Sequence, residues 1–95
     1  MKFSWDENKD RHNRQKHGIS FDLAAKVFND EFRLEEYDAE HSLQEDRFIT
    51  IGLVGDVLTV LYVVYTPRND NIRIISARKA NQKERRLYEY HRKGY

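Results

Sequence analysis

The nine residues VLTVLYVVY at 57–65 limit this chain more than any other stretch. An unbroken apolar run of that length is far too short to span a bilayer, and as a β-strand it buries both of its faces. It therefore predicts a central strand in a sheet covered on two sides. The Gly55-Asp56 pair just before it marks a tight hairpin turn. RFITIGLV, ahead of the turn, alternates: Ile49, Ile51 and Leu53 share one face, Phe48 and Thr50 the other. EFRLEEY, from Glu31, has the same period, and NIRIISA follows a turn placed at Pro67 to Asn71.

Helical signals flank these strands. Glu7 to His17 contains no apolar residue, yet Asp6 can cap its start and Gly18 its end, which predicts a short exposed helix. Ser20 precedes FDLAAKVF, where Phe21, Ala24, Ala25 and Phe28 fall at helical spacing up to Asn29 and Asp30. Asn81 with Glu84 three positions on is a capping-box pattern that opens QKERRLYEYHR. Leu87 and Tyr90 are the residues expected to dock that last helix. The expected architecture is α+β over one domain, 1–95: two helices, an antiparallel sheet of about four strands, and a C-terminal helix.

Several function classes drop out. The chain has no cysteine, so neither a disulfide framework nor a thiolate metal site is available. His12 and His17 lie five apart, about 140° around a helix, whereas paired ligands usually sit four apart; His41 and His91 lack spaced partners. No metal and no cofactor are expected. The four glycines form no phosphate loop and no nucleophile elbow. The opening residues carry no apolar secretory core, and a cytoplasmic protein without a membrane segment is expected.

The formal net charge of +1 hides an asymmetry. Residues 29 to 46 hold eight acids against one base, and residues 67 to 95 hold nine bases against three acids. In strict alternation Arg73 shares a face with Ile75 and Ala77, and Arg78 takes the opposite one unless the small residues Ser76 and Ala77 let the strand bend. On the following helix Arg85, Tyr88 and Arg92 form one ridge. Guanidinium groups interleaved with an aromatic ring suit phosphates and unstacked bases of single-stranded nucleic acid. The same charges also suit a solvated helix face or pairing with the acidic segment, with Tyr88 in the core.

The segments WDENK, KHGISFDLAAKVF, HSLQEDRFITIG, YT with Arg68, and IRIISARKA with ERRLYE, in this order, resemble the BrnT family of toxins from bacterial type II toxin-antitoxin systems. The resemblance runs from Trp5 to about Glu89. It implies a RelE-like fold, a ribonuclease that arrests translation, neutralisation by a BrnA-type antitoxin, and contact with operator DNA only through that antitoxin. The family's KHG corresponds to Lys16, His17 and Gly18. RelE-like enzymes drive the ribose 2′-OH onto the adjacent phosphate without a metal, which requires charge stabilisation and two proton transfers. On that basis Arg73, Arg78 and Arg85 are expected at the phosphate and Tyr88 at a base or a proton. His41 or Glu84 is expected as general base, with Arg68, Lys79 and Arg92 binding RNA. A non-catalytic nucleic-acid module and a protein-interaction domain remain open alternatives.

Overall fold

The structure, a computed structural model, describes residues 1–94; Tyr95, the last residue of the expected domain, lies outside them. Strand β1 (Lys2–Ser4) leads into helix α1 (Glu7–His17) and helix α2 (Phe21–Ala25), which tightens into a 3-10 turn over Lys26–Asn29. Strand β2 (Leu34–Tyr37) and a 3-10 turn (Ala39–His41) precede β3 (Phe48–Val54), β4 (Thr59–Arg68), β5 (Asn71–Lys79) and helix α3 (Gln82–Arg92). The sheet order is β1-β5-β4-β3-β2. All neighbours run antiparallel except β1 and β5, which are parallel.

The fold is thus α+β with a mixed five-stranded sheet. β4 is central, as the apolar run predicts, but only its inner face is fully covered, since Val60, Tyr62 and Val64 on the outer face are half-buried; β2 to β5 form the expected meander. The addition is β1, whose three residues are too few to display a period and which is fixed by a non-local partner: Ser4 Oγ donates to Asn71 Oδ1 at 3.0 Å. Three boundaries also shift. β2 starts only at Leu34, Val57 and Leu58 belong to the turn before β4, and β4 runs on through Pro67 and Arg68 so that the next turn is Asn69-Asp70.

The inner face of the sheet carries the larger core. Phe21, Ala24 and Val27 pack on Val54, Leu61, Val63, Ile74 and Ala77, all buried. Phe28 extends this layer, its ring centroid 5.3 Å from Phe3 and 5.0 Å from Tyr65. Burying one side chain of this size contributes roughly 1.5–3 kcal/mol, so α2 is held by packing rather than by its five-residue length.

Helix α1 has no apolar residue and still docks. Its Asp10 and Asn13 are buried, which corrects the expectation of an exposed helix. Asp10 Oδ1 accepts the Phe21 N–H at 2.8 Å. The Asn13 amide donates to the carbonyls of Ile19 at 2.9 Å and Ala77 at 2.8 Å, and its oxygen accepts the Ala77 N–H at 3.2 Å. A side-chain amide here takes the place of a neighbouring strand beside β5, beyond the residues that β1 pairs. Gly18, at φ 72°, ends the helix in the left-handed conformation.

The outer face is covered at one end by α3. Its buried Tyr88 packs with Ala80 and Ile51, flanked by Leu34, Leu53, Val60 and Tyr62. Leu87 and Tyr90, expected to dock the helix, are exposed. Tyr88 donates to Asp30 Oδ2 at 2.5 Å, and Asp30 also accepts the N–H groups of Leu53 at 2.8 Å and Phe32 at 2.9 Å. Gly52 lets this junction close, since a Cβ there would lie 2.9 Å from Arg33 Cβ and 3.2 Å from Asp30 Oδ2.

Candidate nucleic-acid interface

A bulge in β5 decides which side chains share the outer face. Val64 pairs with Ser76 and the next residue, Tyr65, pairs with Ile74, so Ile75 is an extra residue on β5. The parity therefore resets. Arg73, opposite Thr66, and Arg78, opposite Tyr62, point to the same side, whereas strict alternation had separated them. Ser76, Val64 and Ile49 lie between on that side. The alternative of a bend at Ala77 is replaced by an insertion two residues earlier.

The loop over residues 38–47 borders the other end of this face. Ser42 Oγ donates to the Asp38 carbonyl at 2.6 Å and accepts the Arg47 N–H at 2.8 Å, closing the loop on itself. Thr66 Oγ1 donates to the Asp46 carbonyl, tying the loop to β4 directly opposite Arg73. The half-buried strip of Ile49, Val64, Ser76 and Arg73 is thus framed by α3 at one end and this loop at the other.

The arginines differ in their partners. Arg78 forks onto Glu84 at 2.7 and 2.9 Å, and its guanidinium carbon lies 3.9 Å from the Tyr62 ring centroid. The hydrogen bond from Arg78 leads the effects that hold the Glu84 carboxyl below its ordinary range, with the Asn81 N–H adding to it. Arg68 forks in the same way onto Glu45 at 3.1 and 2.7 Å. Arg73 is half-buried, and its side chain makes no hydrogen bond or ion pair among the described residues. Its charge is still felt: Asp6 is lowered first by the Lys9 N–H and also by Arg73, and Glu45 first by its bond to Arg68 and also by Arg73.

The other expected site residues are dispersed. Arg85 donates to the Ala80 carbonyl at 2.8 Å and lines a cleft with Val60, Arg86 and Lys93. Val60 and Thr66 are six residues apart on β4, roughly 20 Å of strand, so Arg85 stands well away from Arg73. Lys79 pairs with Leu61 on the inner-face parity and is exposed. The Arg92 guanidinium sits 5.6 Å from the Phe32 ring centroid. Tyr88, expected at a base or a proton, is 1% exposed and lies in the core. Burial above all, with the bond to Asp30, pushes its hydroxyl up to about 12.

Of the two candidate bases, His41 is the accessible one. Its Nδ1 lies 2.9 Å from Asp38 Oδ2, an arrangement that orients the ring and leaves Nε2 for other partners. Glu84 is occupied by Arg78 and by the Asn81 N–H at 2.9 Å. Arg47, which lines a concavity of the loop with His41 and Glu45, is a cation that the sequence reading did not single out. Among the described residues no group of three or more His, Asp or Glu side chains comes together to hold a metal ion. Among the described residues no helix is long and apolar enough to cross a membrane.

Comparison with curated proteins gives no match. A family model described as the ribonuclease toxin, BrnT, of type II toxin-antitoxin system matches residues 5–84. That span takes in strands β2 to β5, the helices α1 and α2 and the loop that carries His41. The chain belongs to the BrnT family of type II toxin-antitoxin ribonuclease toxins.

Proposed function

We propose that this toxin is a metal-independent, RelE-like endoribonuclease of the cytoplasm that cuts RNA on the outer face of its sheet and so arrests translation. A BrnA-type antitoxin holds it silent, and operator DNA is contacted only through that antitoxin. Arg73 carries the reading: it is a half-buried guanidinium on a rigid strand, unpaired among the described residues, while Arg68 and Arg78 on the same face are engaged by carboxylates. An unpaired cation held in place is what a phosphate gaining charge requires.

In this reaction the 2′-oxygen attacks the adjacent phosphorus while the bond from phosphorus to the 5′-oxygen breaks. The products are a 2′,3′-cyclic phosphate and a 5′-hydroxyl, the departing 5′-oxygen taking its proton from solvent water. His41 Nε2 takes the proton of the 2′-OH, with Asp38 holding the opposite nitrogen. Arg73 stabilises the negative charge on the phosphoryl oxygens. Arg78 supplies a second, weaker positive field, since Glu84 offsets much of its charge. Arg85 and Arg92 serve backbone binding, Arg68 lies at the rim of the loop restrained by Glu45, Lys79 has the opposite parity, and Tyr88 serves the fold.

The test is cleavage of a single-stranded oligoribonucleotide by the purified chain in EDTA, for the parent and for Arg73→Ala and Arg73→Lys. The parent cuts with or without chelator. Arg73→Ala loses about a hundredfold in rate, on the order of 3 kcal/mol, with an unchanged melting temperature, and Arg73→Lys recovers part of it. Full activity in Arg73→Ala removes this residue from the site. A parent chain that binds RNA without cutting it favours a non-catalytic module.

A further inference from the structure

The KHG segment is not used by the site described above, and its Lys16 and His17 line a second concavity. A groove of about 320 Å³ runs between α1 and the bulged part of β5, walled by Lys9, His12, Lys16 and His17 and floored by Ile75 and Ser76. Lys9, His12 and Lys16 fall at i, i+3 and i+7, which places them on one ridge of α1. The chain makes this ridge possible through Asn13 and Asp10. By taking over the docking of the helix with hydrogen bonds, they leave its basic side chains outward.

Three features give the groove its chemistry. Its lining contains no carboxylate. Asp10 is engaged by the Phe21 N–H and by Arg14, and Asp6 caps the helix through the N–H groups of Asn8 and Lys9. None of the four basic side chains makes a hydrogen bond or ion pair among the described residues. Finally, the floor leads to the outer face. β1 pairs only with residues 71 to 73 of β5, so the edge at Ile75 is uncovered by strand, and Ser76 lies on the same side as Arg73 and Arg78.

We propose that this groove is a second RNA subsite, which seats the backbone phosphates of the strand flanking the nucleotides cut on the outer face. The inference rests on the function proposed above. A narrow, cationic groove with one apolar side chain on its floor suits a single-stranded phosphate chain, whereas a protein segment needs a broad apolar core to dock. The strand crosses the sheet edge at the bulge, from Arg73 and Ser76 to Lys9, His12 and Lys16.

The experiment measures binding of a 12-nucleotide 2′-O-methyl RNA, which lacks the attacking hydroxyl, as a function of salt. The parent chain is compared with Lys9→Ala/Lys16→Ala and with a charge-matched control, Lys26→Ala/Lys83→Ala. The slope of log K against log salt falls by about 1.4 in the groove variant, about 0.7 for each phosphate no longer neutralised. The control keeps the parental slope, and all three chains melt alike. A parent that binds this probe and cleaves ordinary RNA, with a groove variant of unchanged slope, overturns the subsite and leaves the outer-face reaction standing. Loss of antitoxin binding with the slope intact assigns the groove to a protein partner and overturns it too. A parent that neither binds nor cuts RNA overturns the function on which the inference rests.

Discussion

Arg78 lies on the ring of Tyr62, directly across the β4–β5 ladder, with its guanidinium carbon 3.9 Å from the ring centroid. The same guanidinium reaches past the end of β5 to Glu84 in the first turn of α3. Glu84 in turn accepts the Asn81 N–H, and Asn81 Oδ1 accepts the Glu84 N–H at 2.8 Å. One arginine therefore connects the sheet's outer face to the capping box that starts the last helix.

The pH dependence of that connection has a definite sign. The Glu84 carboxyl in the folded protein is held below its ordinary value of 4.5, mainly by Arg78. Its contribution is fully present above pH 4.5 and is lost as pH falls through the lower, folded value. Glu84→Gln should cost about 1–3 kcal/mol at pH 7, because it removes a charge-assisted pair and leaves Arg78 without its carboxylate. Thermal melts of both proteins from pH 7 to pH 3 check this. The gap between them should narrow only below about pH 4.5, and a constant gap would show that the charge of Glu84 contributes nothing.

Tyr88 separates a structural hydroxyl from a catalytic one. Tyr88→Phe keeps the ring in its site and removes only the bond to Asp30, whose other partners are two backbone N–H groups. We expect a loss of about 1–2 kcal/mol in denaturant unfolding and cleavage rates, per folded molecule, within about twofold of the parent. A folded Tyr88→Phe protein with a hundredfold slower rate would return Tyr88 to the reaction.

These two residues also mark how far the sequence could be read. The capping box at Asn81 and Glu84, the alternation in β3 and the central β4 are local patterns, and each appears in the predicted segment, with both ends of β4 moved toward the C-terminus. The faces of α3 were misread because counting apolar residues selects Leu87 and Tyr90, whereas burial is settled by Tyr88 finding Asp30 fifty-eight positions away. The bulge at Ile75 leaves no mark in composition, yet it brings Arg73 and Arg78 to one face. Arg73 itself was legible as a strand arginine. That it lacks a carboxylate partner was not, since the eight acids of residues 29 to 46 offered several, and the structure directs Glu35, Asp38, Glu45 and Asp30 instead to Arg33, His41, Arg68, and Tyr88 with backbone groups.

Asn13 is the test of a helix docked without apolar contacts. Asn13→Ala removes three bonds to buried or edge backbone groups of Ile19 and Ala77 and leaves those groups unsatisfied. The expected loss is about 2–4 kcal/mol, several times the cost of an exposed helix substitution. Asn13→Leu should not rescue it, because apolar volume cannot satisfy the Ala77 N–H and carbonyl. Urea midpoints of the two variants give the answer, and a Leu variant as stable as the parent would mean that α1 docks by packing after all.

Glu45 offers the last prediction, on the RNA face itself. Its carboxylate holds Arg68 in a fork on the exposed rim of the loop, and its charge opposes any phosphate drawn toward Arg73. Exposed pairs of this kind contribute little to folding, so Glu45→Gln should leave the melting temperature nearly unchanged. Its effect belongs on RNA. Freed of its carboxylate, Arg68 becomes available to neutralise a phosphate, and binding of a non-cleavable single strand should tighten several-fold while the salt slope steepens by about 0.7. The double change Glu45→Gln with Arg68→Ala should lose that gain. If Glu45→Gln binds no better than the parent, Arg68 is not in reach of the strand, and the path of the RNA leaves the outer face before the loop.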